Sequence, residues 1–184
     1  MQMAILTKQD LRARSKAQLL KVFLDKEDIY SRQNKIINQI EMSSEFKKAK
    51  VIVTYYPLAN EFDLSSMIIS NPNKTWLLPR TIGKGHMLLF EVGELHELKD
   101  YEYGKIAPPT NKFYKADQVD MVIMPGLAFD KAGYRLGRGM AYYDRFLAKL
   151  NKKAMTIGVI PKELLLDPLP REEHDLPVIK VISL

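Results

Sequence analysis

Cysteine is absent from this 184-residue chain, which excludes disulfides and thiolate metal sites outright. Histidine is scarce. His86, His96 and His174 are the only three, and none stands near another, so the spacing that would hold a transition metal is missing. Long apolar runs are missing as well. The most apolar stretch, residues 121–129, is interrupted by Pro125 and Gly126 and falls far short of the ~20 residues a membrane span needs. The first residues turn charged before a signal-peptide core can form. There is no internal repeat, no low-complexity segment and no Gly/Ser linker. One domain over residues 1–184, cytoplasmic and without a membrane partner, is the expectation.

What is present is an ordinary globular composition, 46% hydrophobic and 27% charged, with a net charge of +6 that is unevenly spread. Residues 1–50 carry 11 Lys/Arg against 6 Asp/Glu, and residues 101–150 carry 8 against 5. Such a field favours an anionic partner, whether nucleotide, phosphate, polyglutamate or nucleic acid. No helix-turn-helix, zinc or RNP-type signature accompanies it, so nucleic acid is not expected. A monomer or weak homodimer is.

Thr7 and Asp10 stand at capping-box spacing ahead of an apolar stripe of Leu11, Leu19, Val22 and Phe23, which predicts a first helix. A second reads from about Asp28, with Ile29, Ile36, Ile37 and Ile40 on one face. Residues 51–56 form a β-branched and aromatic run stopped by Pro57, a buried strand. Asp63 can cap a following helix through Leu64, Met67 and Ile68. Further strands read over residues 75–78 (stopped by Pro79), 87–92 (hairpin-like after Gly83 and Gly85), 119–124, 155–160 and 178–182, with a helix over 138–150. The continuous apolar run at 119–124 is that of a central parallel strand covered on both faces. Strands alternating with helices predict a three-layer α/β/α sandwich, its sheet mostly parallel, preceded by N-terminal helices.

The chemistry concentrates between Met124 and Asp144, after a buried strand and before a helix, where open α/β sheets bind ligands. Gly137 and Gly139 let backbone N–H groups turn toward an anion with no Cβ in the way. Arg135 and Arg138 supply forked, permanently charged donors suited to phosphate oxygens. Asp144 adds a hard carboxylate where Mg²⁺ could bridge protein and phosphates. The segment is neither a Walker A loop nor a dinucleotide GxGxxG fingerprint. A surface turn with solvated arginines is the alternative on these residues alone.

The same segment resembles the signature of the 5-formyltetrahydrofolate cyclo-ligase (5,10-methenyltetrahydrofolate synthetase) family, roughly PGxAFDxxGxRLGxGxGYYDRFL. Pro125, Gly126, Ala128, Phe129, Asp130, Gly133, Arg135, Leu136, Gly137, Gly139, Tyr142, Tyr143, Asp144, Arg145 and Phe146 all fall in register. Lys8 with Arg12, Glu61 with Asp63, Pro79-Arg80, Pro108, Leu169-Pro170 and His174-Asp175 match further family positions. The resemblance implies an ATP- and Mg²⁺-dependent conversion of 5-formyltetrahydrofolate to 5,10-methenyltetrahydrofolate, with ADP and phosphate released.

It also implies roles. ATP would meet Lys8, Arg12, the loop Arg135, Leu136, Gly137, Arg138, Gly139, Met140 and Ala141, and Tyr142 and Tyr143. Lys8 and Arg12 are one helical turn apart on one face, where like charges cost a few tenths of a kcal/mol, roughly; an anion between them offsets this. Folate would meet Tyr56, Glu61, Arg138 and Tyr142, with Glu61 on the pterin ring. Arg138, Tyr142 and Tyr143 would be catalytic, and Asp144 and Asp175 would hold the metal. Asp130 reads as a turn former and His174 as structural. Arg80 could reach phosphate or folate carboxylates, or serve a structural ion pair. Met140 and Ala141 depart from the family loop, which has Lys or Gly, then Gly. If the loop needs a positive φ at position 141, Ala is strained there by about 1 kcal/mol or more. The alternative function is accordingly a weakly active or non-catalytic folate- or nucleotide-binding relative.

Overall fold

A computed structural model describes residues 6–82, 86–93, 95–101, 105–107 and 112–184. Helices α1 (Lys8–Val22) and α2 (Lys26–Glu41) come first, then the short α3 (Ser44–Lys48). Strand β1 (Val51–Val53), helix α4 (Ser65–Ser70), β2 (Thr75–Ile82) and β3 (His86–Glu91) follow. After the small strands β4 (Lys99–Tyr101), β5 (Lys105–Ala107) and β6 (Phe113–Tyr114) come β7 (Met121–Pro125), β8 (Ala128–Phe129) and β9 (Arg135–Leu136). Helix α5 (Tyr142–Leu147), β10 (Met155–Ile160) and β11 (Lys180–Ser183) complete the order. No described helix is long and apolar enough to cross a membrane.

Local chemistry sets the helix starts. Thr7 and Asp10 form the reciprocal capping box predicted for α1, and Asp25 accepts the N–H of Asp28 to start α2 two residues earlier than expected. Ile29, Ile36, Ile37 and Ile40 are buried, so the isoleucine face of α2 is its packing face. Asp63 is not the cap expected of it: Leu64 is the N-cap of α4 and makes no side-chain cap bond, and Asp63, one residue earlier, accepts the Ser65 N–H at 2.9 Å.

Seven strands build the main sheet in the order β11-β10-β7-β1-β2-β3-β6. The four pairings from β11 to β2 are parallel, while β3 and β6 add on antiparallel. Met121 to Met124 are all fully buried, as are Ile52 and Val53. Consecutive strand residues face opposite sides, so both faces of the sheet are covered. The connection from β1 through α4 to β2 and that from β7 through α5 to β10 move in opposite directions across the sheet. Right-handed crossovers then set α4 and α5 on opposite faces, which gives the three layers. The same reversal makes the gap between the carboxyl ends of β1 and β7 the topological switch point of the sheet.

Three further expectations need correction. Pro79 does not stop β2, which continues to Ile82. The Leu77 carbonyl accepts from Thr54 on the β1 side and the Trp76 carbonyl from Val92 on the β3 side, so position 79 points toward β1, which has already ended. No ladder bond is lost, and proline is tolerated. Strand β1 stops at Val53, not Tyr56. Helix α5 begins at Tyr142 instead of 138, because Gly139 (φ 104°) and Ala141 (φ 47°) hold the chain out of the right-handed helical region. The turn at residues 83–85 and Pro108 lie outside the described residues.

Candidate active site

Two segments meet at the switch point. The chain leaving β1 carries Tyr55, Tyr56 and Glu61; the chain leaving β7 carries the β8–β9 hairpin and the loop to α5. Tyr55 is buried and donates to the Phe62 carbonyl at 2.7 Å, which fixes the turn presenting Glu61. Burial, reinforced by Glu61, pushes the Tyr55 hydroxyl well up, so it stays a donor. The Leu58 N–H donates to Glu61 Oε2 at 3.1 Å. The other oxygen, Oε1, accepts from Arg138 at 3.1 Å, and the Glu61 side chain is only 9% exposed.

In the hairpin, Asp130 is completely buried and accepts from the Tyr134 N–H at 2.9 Å and from Arg171 at 3.2 Å. It is therefore more than a turn former, since it also fixes the C-terminal segment. Gly133, at φ 90°, donates to the Asp130 carbonyl, and its own carbonyl accepts from Val178. A Cβ on Gly133 would lie 2.3 Å from the Val178 oxygen.

The hairpin delivers Arg135 to the loop. Its guanidinium is buried, 3.6 Å from Asp144 Oδ2 and 4.8 Å from the centre of the Tyr143 ring. Burial lowers its affinity for the proton against the opposing pull of Asp144. Its Nε finds no hydrogen-bond partner among the described residues. A Cβ on Gly137 would sit 2.8 Å from both terminal nitrogens of Arg135, so glycine there is what lets the guanidinium lie against the loop. Burial likewise pushes the Tyr143 hydroxyl well up, with Arg135 opposing.

Helix α1 closes the other side. Arg12 Nε donates to the Gly137 carbonyl at 3.0 Å, and Lys8 Nζ to Asp175 Oδ2 at 2.6 Å. Burial disfavours the Asp175 charge, but Lys8 and the Glu172 N–H more than compensate and hold its carboxyl below the usual range. Glu172, absent from the expected site, also pairs with Lys8 at 3.3 Å and with His174. Only its closeness in sequence to Asp175 could have hinted at it.

Three clefts run together along this surface. The first, of about 220 Å³, is lined by Tyr55, Tyr56, Glu61, Met87, Arg138 and Tyr142, among others. Its second face, with Pro79, Thr81 and Met87, had not been expected to contribute. The third is lined by Lys8, Arg12, Arg135, Gly137, Gly139, Asp144 and Asp175, among others. Between them, a middle cleft shares Glu61, Arg138, Tyr142 and Tyr143 with the first and Arg135, Gly137 and Ala141 with the third. The expected ATP, folate and metal residues thus line one continuous surface, and Leu136, buried, joins the third cleft. Met140 is 56% exposed beside it. Asp144 and Asp175 share the third cleft. The tightest group of possible metal ligands among the described residues is Glu172, His174 and Asp175, without Asp144. Arg80, between Pro79 and Thr81, is not itself among the residues lining these clefts, and its guanidinium lies 5.7 Å from the centre of the Phe90 ring.

By fold and site the chain falls among the open α/β proteins whose ligand crevice lies at the switch point of a parallel sheet. It belongs to the 5-formyltetrahydrofolate cyclo-ligase family, whose profile matches residues 4–183. The 5-formyltetrahydrofolate cyclo-ligase of Mycolicibacterium smegmatis is 37% identical over 76 residues, 41% of this chain and 39% of that relative, so this alignment spans well under half of either protein. That of Haemophilus influenzae is 28% identical over 145 residues, 75% of this chain and 78% of the relative. The 5,10-methenyltetrahydrofolate synthetase of Aquifex aeolicus superposes with a TM-score of 0.84 at 30% identity, covering 97% of this chain and 90% of that one.

Proposed function

We propose that this chain is itself a 5-formyltetrahydrofolate cyclo-ligase, turning ATP and 5-formyltetrahydrofolate into ADP, phosphate and 5,10-methenyltetrahydrofolate. The observation that carries this reading is the middle cleft, which joins an apolar, tyrosine-lined pocket holding a buried carboxylate to a glycine-lined cleft holding a buried arginine. A pterin presents ring and amino N–H donors, for which Glu61 is a matched acceptor. A triphosphate presents oxygens, for which Arg135, Arg12, Lys8 and the Cβ-free backbone at Gly137 and Gly139 are matched donors.

The residues present fit ATP with Mg²⁺. Arg135 Nε is buried and without a protein acceptor among the described residues, a Cβ would fill the approach at Gly137, and Asp144 and Asp175 offer the hard oxygens Mg²⁺ takes. When bound, ATP supplies the phosphoryl group that turns the formyl oxygen, otherwise a poor leaving group, into departing phosphate. The chain's part is positioning and charge neutralisation. Arg138, held by Glu61 at the junction of the clefts, sits where both reactants must meet. Tyr143, whose hydroxyl stays protonated, acts as a donor and wall, not as a base. Tyr142 and Tyr56 bound the folate pocket, and Met140 with Ala141 bound the phosphate side.

The αL conformation of Ala141 supports the catalytic reading over the weakly active one, because the loop has the backbone shape a glycine would give it. The test is a mixture of protein, ATP, Mg²⁺ and 5-formyltetrahydrofolate followed by the absorbance of the methenyl product. Product that depends on ATP supports the reading, and none at high protein concentration overturns it. Thermal stabilisation by Mg²⁺ with a non-hydrolysable ATP analogue, lost in Arg135→Ala, reads the phosphate cleft independently of turnover.

A further inference from the structure

Every carboxylate in the third cleft already faces a cation. Lys8, Arg12 and Arg135 stand there with Asp144, Glu172 and Asp175. Arg135 lies 3.6 Å from Asp144 Oδ2, and Lys8 Nζ lies 2.6 Å from Asp175 Oδ2 and 3.3 Å from Glu172 Oε1. Glu172, His174 and Asp175 offer ligand atoms within 4.8 Å of one another. The Lys8 ammonium thus rests against the group best spaced to hold a metal among the described residues. The two arginines are fixed otherwise. Arg135 is buried beside the Tyr143 ring with its terminal nitrogens against Gly137, and Arg12 donates to the Gly137 carbonyl. Lys8 has neither restraint: carboxylates are its partners among the described residues. Its flexible stem can swing the ammonium toward Gly137 and Gly139, which line the same cleft.

We propose that Lys8 is an exchangeable counter-ion, which keeps a free divalent cation off Asp175 and admits one only as phosphates arrive to take the ammonium. The inference rests on the reading of the third cleft as the phosphate and Mg²⁺ site. An ammonium and a divalent cation at one carboxylate repel strongly where water is largely shut out, and Asp175 is only 11% exposed. If Lys8 left alone, Asp175 would be stranded as an unpaired, part-buried charge. If a metal came alone, it would add two charges to a cleft whose three cations and three carboxylates already balance. A metal carried by a nucleotide meets both conditions at once, because Asp175 gains a cation as Lys8 gains phosphate oxygens. Lys8 is thus a positioning residue that makes nucleotide and metal enter together.

Titration with Mn²⁺ alone, followed by the electron paramagnetic resonance of the free ion, tests this without turnover. The wild-type chain should bind Mn²⁺ weakly, and Lys8→Met and Lys8→Gln should each bind it about tenfold more tightly. Lys8→Arg, which restores the charge, should return to the wild-type affinity. So should Lys8→Met combined with Asp175→Asn, which removes the freed carboxylate. Loss of a merely structural contact would not tighten metal binding, and thermal melts confirm which variants are folded. By calorimetry, Lys8→Met should bind Mg²⁺ with a non-hydrolysable ATP analogue about tenfold more weakly than the wild type. Four results overturn the exchange: tight Mn²⁺ binding by the wild type that Asp175→Asn removes, no gain in the neutral variants, a gain that survives Asp175→Asn, or equal analogue affinity with and without Lys8. The phosphate reading is scored separately: if the wild type binds no analogue, that reading fails, while the Mn²⁺ titrations still decide whether Lys8 guards Asp175.

Discussion

Lys8, in the first turn of α1, donates to Asp175 at 2.6 Å across a sequence separation of 167 residues. Both side chains are largely buried, at 14% and 11% exposure. With the Arg12 bond to Gly137, this pair holds the N-terminal helix against the glycine loop and one wall of the third cleft.

The pair should be measurable as a coupling. A double-mutant cycle on Lys8→Ala and Asp175→Asn in urea unfolding should give about 1.5–3 kcal/mol, the range of a hydrogen bond to a charged group. Asp175 titrates below its ordinary value of 3.8 in the folded chain. The stabilisation is therefore complete above that value and is lost as pH falls below it. A coupling that persists unchanged in strong acid, far below 3.8, would contradict this assignment.

Arg135→Ala should destabilise the fold by about 3 kcal/mol, because it strands the buried Asp144 beside an emptied space. Asp144→Asn should cost less in stability, since the arginine keeps Tyr143 and the loop around it. Both should depress methenyl formation. Chemical denaturation of the two variants side by side checks the order of the effects.

Ala141 is the one described non-glycine residue at positive φ. Ala141→Gly relieves αL strain but loosens the unfolded chain, for a net gain of about 0.5–1 kcal/mol in stability. Ala141→Val should lose more than about 1 kcal/mol. Combining Ala141→Gly with Met140→Lys adds a cation beside the phosphate cleft and should lower the KM for ATP with little change in the KM for folate. A rise confined to the folate KM would count against that placement of the phosphates.

Gly133→Ala combines a Cβ 2.3 Å from the Val178 carbonyl with a φ of 90°. A loss of about 2–4 kcal/mol is expected from strain and clash together. Gly126→Ala meets the Phe129 ring edge at 2.7 Å, the Ala128 carbonyl at 3.1 Å and an Arg135 methylene at 3.2 Å, without a positive φ, and should cost less. The urea midpoints of the two variants test the difference.

Much of the fold is legible in the chain because its signals are local. The run at 119–124 reads as a buried parallel strand, and the isoleucines of α2 mark a helix face. Where reading fails, the deciding contact is distant. Pro79 looks like a stop until β1 is known to end before reaching it. The strands at 99–101, 105–107, 128–129 and 135–136 are too short to show a period. The glycine-arginine loop is legible as an irregular segment between a strand and a helix, and its late helix start follows only from the φ values at Gly139 and Ala141. The pairing of Lys8 with Asp175 and the arrival of Glu172 beside them depend on tertiary packing, for which spacing carries no signal.

Pro79 also limits what the sheet can become. Past the end of β1, the margin of β2 borders the first cleft, and a free N–H there would offer a stray extended segment a place to join the ladder. With proline at that position, the donor needed for strand addition is gone. The sheet is thereby hindered from growing by backbone pairing across the opening of that cleft.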